Sequence, residues 1–270
     1  MTEWRVYGCG SASSSRYLQS SYEFVDGDFR LHLDFGNGAL YRRCQLEGDI
    51  VRAVKGIQHL FVTHGHADHT TDLNRHVVAW KYTPGFIPDS QVQLYATTPT
   101  LEAIQELIEH STQPELYHEV YNPHVIRVED QFEIDGYQIQ TFPTKHKEGS
   151  CGVRIITNSG LQVVFTGDVI HFPELPGYLK DLDLLVIECS FHDTEHHMHL
   201  NLEQVSRIAG QVNPKAVLLV HLYPEMEALS EESIKDQAAE FYGGDVCVAR
   251  DGLRLRWNAE QERWDSGMMF

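Results

Sequence analysis

His64-Gly65-His66-Ala67-Asp68-His69 is the segment that decides the fold, and it directly follows the apolar residues 60–63, LFVT. Three imidazoles and one carboxylate lie within six positions, on a loop that a buried strand would hold rigid. Imidazole nitrogens and carboxylate oxygens are preferred ligands of Zn²⁺ and of similar divalent metals. Because three histidines around an aspartate are rare by chance, the segment predicts a metal site.

Other acidic and imidazole side chains stand where apolar runs end. His146 follows the predicted strand 137–142, Asp168 follows VVFTG, His221 follows AVLLV, and Asp34 ends LHLD. The carboxyl ends of strands are where α/β architectures place their chemistry. Together with the histidine-rich loop, these four positions predict one functional site at the ends of several strands.

The composition is unusual in two respects. The chain of 270 residues has 21 Lys+Arg against 39 Asp+Glu, a formal net charge of −18, and it contains 16 histidines. Binding to a nucleic-acid backbone or to an anionic membrane needs clustered Lys and Arg, so the charge argues against both. The histidine excess favours a search for metal ligands.

Short apolar strands alternate with amphipathic helices along the whole chain, with no linker or repeat between them. We therefore expect a single domain over 1–270, in which two packed sheets carry helices on their outer faces. The N-terminus lacks a secretory signal, no run of 18 apolar residues could span a membrane, and the five scattered cysteines predict reduced thiols. These features predict a cytoplasmic protein.

At these residues the sequence resembles the metallo-β-lactamase superfamily, whose HxHxDH signature HGHADH matches. The resemblance covers nearly the whole chain and implies an α+β fold, the four-layer αββα sandwich, with a two-metal site at the edge between the sheets. It implies one metal on His64, His66 and His146, and a second on Asp68, His69 and His221. Asp168 would bridge the two, and Asp34 would support the loop by hydrogen bonds.

The implied chemistry is hydrolysis by two divalent metal ions, Zn²⁺ or alternatively Mn²⁺. Two such ions about 3.5–4 Å apart turn a bridging water into a hydroxide and neutralise charge on a phosphoryl or acyl oxygen. None of the seven ligand positions carries cysteine, unlike the antibiotic-cleaving enzymes that use one.

Further motifs are similar to the ribonuclease Z group of phosphodiesterases. Glu188-Cys189-Ser190-Phe191 resembles its Glu-Ala-Thr-Phe, and His199-Leu200-Asn201 resembles its His-Ser-Thr. The resemblance implies that His199 protonates the leaving oxygen or steadies the phosphoryl charge, and that Glu188 orients His199. Asp68, His199 and Glu188 are thus the candidate catalytic residues. We interpret His192, His196 and His197 as a solvated loop.

One departure from that group bears on the substrate. Ribonuclease Z carries a long tRNA-gripping arm between its third and fourth motifs, whereas only 22 positions separate His146 from Asp168 here. We therefore expect a phosphodiesterase acting on a small or cyclic anionic phosphodiester, for example a cyclic nucleotide. The alternatives are a tRNA 3′ endonuclease, a thioester, lactone or sulfate ester hydrolase, and a binding module without activity. Dimers among relatives make a homodimer the expected assembly.

Overall fold

Two β-sheets face each other across a shared apolar core in the computed structural model, which describes residues 1–269. The strands, in chain order, are β1 (Thr2–Gly8), β2 (Ser21–Asp26), β3 (Phe29–Leu33), β4 (His59–Phe61), β5 (Val92–Ala96), β6 (Tyr121–Val125), β7 (Gln131–Ile134), β8 (Tyr137–Pro143), β9 (Cys151–Ile156), β10 (Gln162–Phe165), β11 (Leu184–Glu188), β12 (Ala216–Val220), β13 (Asp245–Val248), β14 (Leu253–Asn258) and β15 (Arg263–Met268). Within the described chain, one sheet has the order β15-β14-β1-β2-β3-β4-β5-β6, and the other has the order β13-β12-β11-β10-β9-β8-β7.

Helices cover the outer face of each sheet. They are α1 (Ala39–Glu47), α2 (Ile50–Lys55), α3 (Ala67–Tyr82), α4 (Thr98–Ser111), α5 (Glu115–Val120), α6 (Leu175–Tyr178), α7 (Leu202–Val212), α8 (Pro224–Glu227) and α9 (Glu231–Ala238). Helices α1 to α5 pack on the first sheet, and α6 to α9 pack on the second.

Three buried apolar clusters lie between these layers and pack them together. The central cluster joins Trp4 and Phe61 of the first sheet to Val153 and Val186 of the second, and all four side chains are buried. Each outer cluster lies between one sheet and its helices. Full burial of a side chain of this size contributes about 1.5–3 kcal/mol, so all three interfaces stabilise the sandwich. The predicted αββα sandwich is confirmed.

The ends of the chain meet in the first sheet, where β14 pairs with β1 in antiparallel register. This pairing is what the single-domain prediction for 1–270 requires, and the number of domains stays a prediction. In residues 1–269, no helix is both long enough and apolar enough to cross a membrane.

Parallel pairing brings the carboxyl ends of several strands to one edge. Strand β10 pairs with β11, and β11 pairs with β12, with Glu188 opposite Val220 at the last matched position. On the facing sheet, β3, β4 and β5 are also parallel. The loops after β4, β10, β11 and β12 therefore leave both sheets at a common edge, which is where the candidate site lies.

Helix α3 begins earlier than the periodicity predicts. The sequence pattern, which ends before Pro84 and Gly85, predicts a helix over 72–82 that follows the HGHADH loop, but α3 starts at Ala67, with His66 as its N-cap. Ala67, Asp68 and His69 therefore form the first helical turn and are not part of a loop. A carboxylate in this turn is stabilised by the free N–H groups and the dipole of the helix, so Asp68 suits the position.

Candidate metal centre

The candidate centre is built from strand ends and from one helix N-terminus. His64 and His66 follow β4, Asp68 and His69 lie in the first turn of α3, and His221 directly follows β12. Positive φ angles occur at His221 (56°) and at Asp34 (55°). Non-glycine residues in this conformation cost energy and concentrate at functional sites.

The first group of nitrogens belongs to His64, His66 and His146. His66 Nδ1 lies 3.0 Å from His64 Nε2 and 3.1 Å from His146 Nε2. Zinc–nitrogen bonds of about 2.0–2.1 Å in a tetrahedron would separate the ligand atoms by about 3.3 Å. The spacing is therefore close to that of three ligands on one ion.

The second group consists of Asp68, His69 and His221. Asp68 Oδ2 lies 3.2 Å from His221 Nε2 and 3.9 Å from His69 Nε2. The same oxygen accepts a hydrogen bond of 2.9 Å from the backbone N–H of Ala12, which fixes the carboxylate. All three side chains are buried.

Asp168 lies between the two groups and presents one oxygen to each. Its Oδ2 is 3.7 Å from His64 Nε2 and 3.5 Å from His146 Nε2. Its Oδ1 is 3.3 Å from His69 Nε2 and 3.4 Å from His221 Nε2. A carboxylate in this position can contact two cations at once.

Hydrogen bonds fix which nitrogen three of the histidines present to the centre. The Nδ1–H of His146 donates to the carbonyl of Met198 (2.9 Å), and the Nδ1–H of His69 donates to Asp34 Oδ2 (2.7 Å). His221 Nδ1 lies 3.1 Å from Ser190 Oγ, whose own hydrogen is donated to Glu188. In these three histidines Nε2 therefore faces the centre and is the nitrogen available to a cation, as in metal-binding histidines.

Asp34 supports the HGHADH segment by hydrogen bonds, as the sequence predicted. Its Oδ1 accepts the backbone N–H of Thr63 (2.8 Å), and its carboxylate also accepts the Thr63 hydroxyl. Thr63 Oγ1 in turn lies 3.1 Å from His64 Nδ1, so it accepts that N–H. Thr63 was missed by sequence reasoning, because a threonine before the first histidine carries no signal of its own.

The pKa shifts of His64, His66 and Asp168 favour the protonation states in which such a site binds a cation. Burial, and then the neighbouring histidines, lower the pKa of His64 well below its usual range and that of His66 to about 4. Burial raises the pKa of Asp168, but His221 and His69 outweigh it and hold this pKa well below the usual range. Neutral imidazoles beside an ionised carboxylate are the states that metal binding requires. His69 differs: burial lowers its pKa, but the charges of Asp168 and Asp34 outweigh burial and raise it well above its usual range, so a cation would have to displace a proton there.

Two buried atoms provide an independent test of the fit. His69 Nε2 and Asp168 Oδ1 have no hydrogen-bond partner, although they face each other across 3.3 Å. A buried polar atom without a partner costs about 1–3 kcal/mol. A cation between them would satisfy both atoms, so the residues present fit a metal.

Glu188 and His199 lie beside the centre. His199 Nδ1 is 3.2 Å and 3.1 Å from the two Glu188 oxygens. Glu188 is fully buried, and it also accepts the backbone N–H of Val169 (2.7 Å) and the Ser190 hydroxyl (2.5 Å). His199 Nδ1 is 3.9 Å from Asp168 Oδ2. The structure therefore brings Glu188 and His199 into contact beside the centre, with Ser190 as an unpredicted link between Glu188 and His221; their catalytic roles stay a prediction.

The predicted site residues thus lie together at one sheet edge. Lys147 also lies at this site, and sequence reasoning missed it. Its side chain is exposed, and its Nζ lies 3.9 Å from the position that a Cβ atom added to Gly65 would take. Its only sequence signal is its place directly after His146. Lys147 supplies a positive charge beside His66, and that charge contributes to the lowered pKa of His66.

A profile described as a Beta-lactamase superfamily domain matches residues 33–222, a range that includes all seven candidate ligands. The chain belongs to this superfamily, and with its His/Asp cluster it is a metal-dependent hydrolase. The resemblance of the sequence to this superfamily is thereby confirmed. The resemblance to the ribonuclease Z group is confirmed by a Ribonuclease Z of Borrelia duttonii, which is 26% identical over 113 residues, 39% of this chain and 35% of the relative.

Three individual proteins show which members of the superfamily this chain is similar to. The probable metallo-hydrolase YhfI of Bacillus subtilis is 25% identical over 254 residues, which cover 92% of this chain and 97% of the relative. Its crystal structure superposes with a TM-score of 0.77 at 21% identity, over 94% of this chain and 98% of that one. Zinc phosphodiesterase ELAC protein 2 of Homo sapiens is 25% identical over 238 residues, 79% of this chain but 29% of the relative. A diphosphatase from the PhnP family superposes with a TM-score of 0.75 at 20% identity, over 96% and 98% of the two chains.

Proposed function

We propose that this chain is a two-metal phosphodiesterase that hydrolyses a small or cyclic anionic phosphodiester, for example a cyclic nucleotide. The observation that carries the proposal is the position of Asp168, whose two oxygens face two separate groups of ligand atoms. Paired metals bridged by a carboxylate are typical of enzymes that hydrolyse phosphoryl bonds. The similarity to a zinc phosphodiesterase supports the same class of reaction.

We assign one ion to His64, His66 and His146, and the second to Asp68, His69 and His221, with Asp168 between them. The nitrogen-rich donor set, with no cysteine, suits Zn²⁺, and Mn²⁺ is the alternative. When bound, such a pair activates water as a nucleophile and neutralises charge on the phosphoryl oxygens.

His199 is proposed to protonate the leaving oxygen. Glu188 accepts the Nδ1–H of His199, so the opposite nitrogen, Nε2, carries the proton that can be transferred. Burial lowers the pKa of His199, but the charge of Glu188 and its hydrogen bond outweigh burial and raise it. A raised pKa keeps the imidazolium populated near neutral pH, as a general acid requires.

The short interval between His146 and Asp168 supports a small substrate. Strands β9 and β10, with the turn that joins them, occupy most of it, and the strands pair with each other from Gln162–Ile156 to Phe165–Val153. Little chain is left there for an arm that could hold a folded RNA. The net charge of −18 also opposes a long polyanion.

A tRNA 3′ endonuclease remains the second candidate, because the motifs at Glu188 and His199 resemble those of the ribonuclease Z group, and a Ribonuclease Z of Borrelia duttonii is 26% identical over 39% of this chain. All five cysteines are free thiols, which agrees with the cytoplasmic location that we propose.

Metal analysis and a substrate panel on one preparation test the proposal. The Zn²⁺- or Mn²⁺-loaded protein is assayed on bis(p-nitrophenyl) phosphate, on cyclic nucleotides, on precursor tRNA, and on thioester, lactone and sulfate ester substrates. We expect two metal ions per chain and turnover of small phosphodiesters. Turnover of only the non-phosphate esters, or cleavage of only the precursor tRNA, would contradict the proposal.

A further inference from the structure

Aromatic rings continue outward from the candidate centre along the loop that follows β11. His196 stacks on His199 with centroids 5.4 Å apart and planes 28° apart, and His197 stacks on His196 at 4.8 Å and 27°. Phe191 lies 5.0 Å from His196 and 4.8 Å from Tyr223. We call Phe191, His196, His197 and Tyr223 the ring ladder.

The ring ladder ends at the surface and begins at His199. His197 is exposed, whereas Phe191, His196 and Tyr223 are half-buried. Tyr223 lies 5.5 Å from His199 and 5.7 Å from His221, so it borders both the proposed acid and a proposed ligand. A molecule held at the metal centre would therefore reach these rings without leaving the site.

Core packing does not account for the ring ladder. Phe191 and Tyr223 belong to none of the three apolar clusters that join the layers of the fold. The loop is instead closed by backbone bonds, from Phe191 N to the Leu200 carbonyl (3.3 Å) and from Leu202 N to the Phe191 carbonyl (2.9 Å). Large rings at the surface that the core does not need are typical of ligand contacts.

Near-parallel rings at this spacing form a platform for another flat ring. Nucleobases stack on aromatic side chains in a way that tolerates any base, because every base has a π-face. Aliphatic sugar and glycerol groups have no such face. The geometry of the ring ladder therefore distinguishes between two kinds of small phosphodiester.

We propose that the ring ladder binds the nucleobase of the substrate, so that the substrate class is nucleoside phosphodiesters and not base-free sugar or glycerol phosphodiesters. The inference rests on the proposed phosphodiesterase function. It also assigns a binding role to His196 and His197, which the sequence suggested to be a solvated loop.

The test compares two substrates that share a phosphodiester ring and differ only in the base. A 3′,5′-cyclic nucleotide and the corresponding base-free cyclic ribose phosphate are assayed with the metal-loaded full chain. We expect the wild-type chain to favour the nucleotide at least tenfold in kcat/KM. The variant H196A should raise KM for the nucleotide about tenfold, with kcat and the metal content unchanged, and should leave the base-free substrate unaffected.

H192A is the matched control, because His192 lies on the same loop but its Nε2 faces Gln237 Oε1 at 2.8 Å, away from the ring ladder. It should behave as the wild type does. The variant F191L removes a different ring of the ring ladder, and it should likewise raise KM for the nucleotide and leave the base-free substrate unaffected. If the wild-type chain hydrolyses both substrates with equal kcat/KM, or if H196A weakens both equally, the inference is wrong while the phosphodiesterase proposal stands. If neither substrate, nor any other phosphodiester, is hydrolysed, the proposed function itself fails.

Discussion

Replacing Asp34 by asparagine tests whether a residue outside the proposed ligand set controls metal affinity. The Asp34 carboxylate is fully buried and accepts from Thr63 N at 2.8 Å and from His69 Nδ1 at 2.7 Å. In D34N one oxygen becomes an NH₂ group. Asparagine tolerates the positive φ of this position (55°) and has the same shape, so the backbone should hold.

The substitution adds a hydrogen-bond donor beside His69. If the amide oxygen keeps the Thr63 N–H, the NH₂ group faces His69 Nδ1, and two donors meet. His69 can relieve this only by moving its hydrogen to Nε2, the nitrogen that lies 3.3 Å from Asp168 Oδ1. That hydrogen then occupies the position that a metal would take.

The magnitude can be estimated from the bond that is lost. A hydrogen bond to a charged group contributes about 1.5–3 kcal/mol. At 1.4 kcal/mol per factor of ten, this corresponds to an affinity loss of about 10- to 150-fold, in line with losses of about 10- to 100-fold when such supporting residues are changed. The metal-free form should lose little stability, because the new Nε2–H can donate to Asp168.

Competition with a chromogenic chelator measures Zn²⁺ affinity, and thermal unfolding of the metal-free protein measures stability. D183N is the control: Asp183 Oδ2 accepts the Gln162 N–H (2.8 Å) at the start of β10, at the opposite end of the strands. Its metal affinity should equal that of the wild type. Wild-type affinity in D34N, or an equal loss in D183N, would refute the reasoning.

Other substitutions separate metal binding, proton transfer, folding and substrate charge. H66A should lose metal and most activity, whereas H199A should keep its metal and lose about 10²- to 10⁴-fold in kcat, and equal metal loss in both variants would contradict this division of roles. G167A forces a side chain onto a φ of +58° with its Cβ 2.8 Å from Thr63, so urea unfolding should show a free energy of unfolding lower by about 2–5 kcal/mol, and an unchanged midpoint would contradict it. K147M should raise KM for an anionic phosphodiester several-fold at low salt, with kcat unchanged, and the difference should fade near 1 M salt; a KM that does not change at low salt excludes a role for this charge.

The sequence could predict which side chains of the candidate site lie together, because these side chains are local in sequence or stand at strand ends. His64, His66, Asp68 and His69 are within six positions of one another, so any rigid strand before them would bring them close together. Asp168 and His221 follow apolar runs, and parallel pairing carried both to the same edge. Predictions from such patterns hold even when the predicted bounds of helices and strands are off by a few residues.

The remaining elements could not be predicted because they depend on tertiary contacts. Strand β6 contains Pro123, which removes a backbone donor and is tolerated only because β6 is an edge strand. The ring ladder joins Phe191 and His196 to Tyr223, some 30 positions further along. No periodicity links such residues, so only the folded chain shows that they are neighbours.

The distribution of acidic residues bears on the size of the substrate. Residues 101–135 carry nine acidic side chains against one arginine, a net charge of −8. This stretch includes β6 and β7, the last strands of their sheets, so its charge gathers at one lateral end of the sandwich. Screening limits each surface charge to about 8 Å at physiological salt. A small anion at the centre would respond mainly to Lys147 and to bound cations, whereas a long polyanion would also meet the acidic end. The net charge of −18 therefore opposes a large phosphodiester more than it opposes a small one.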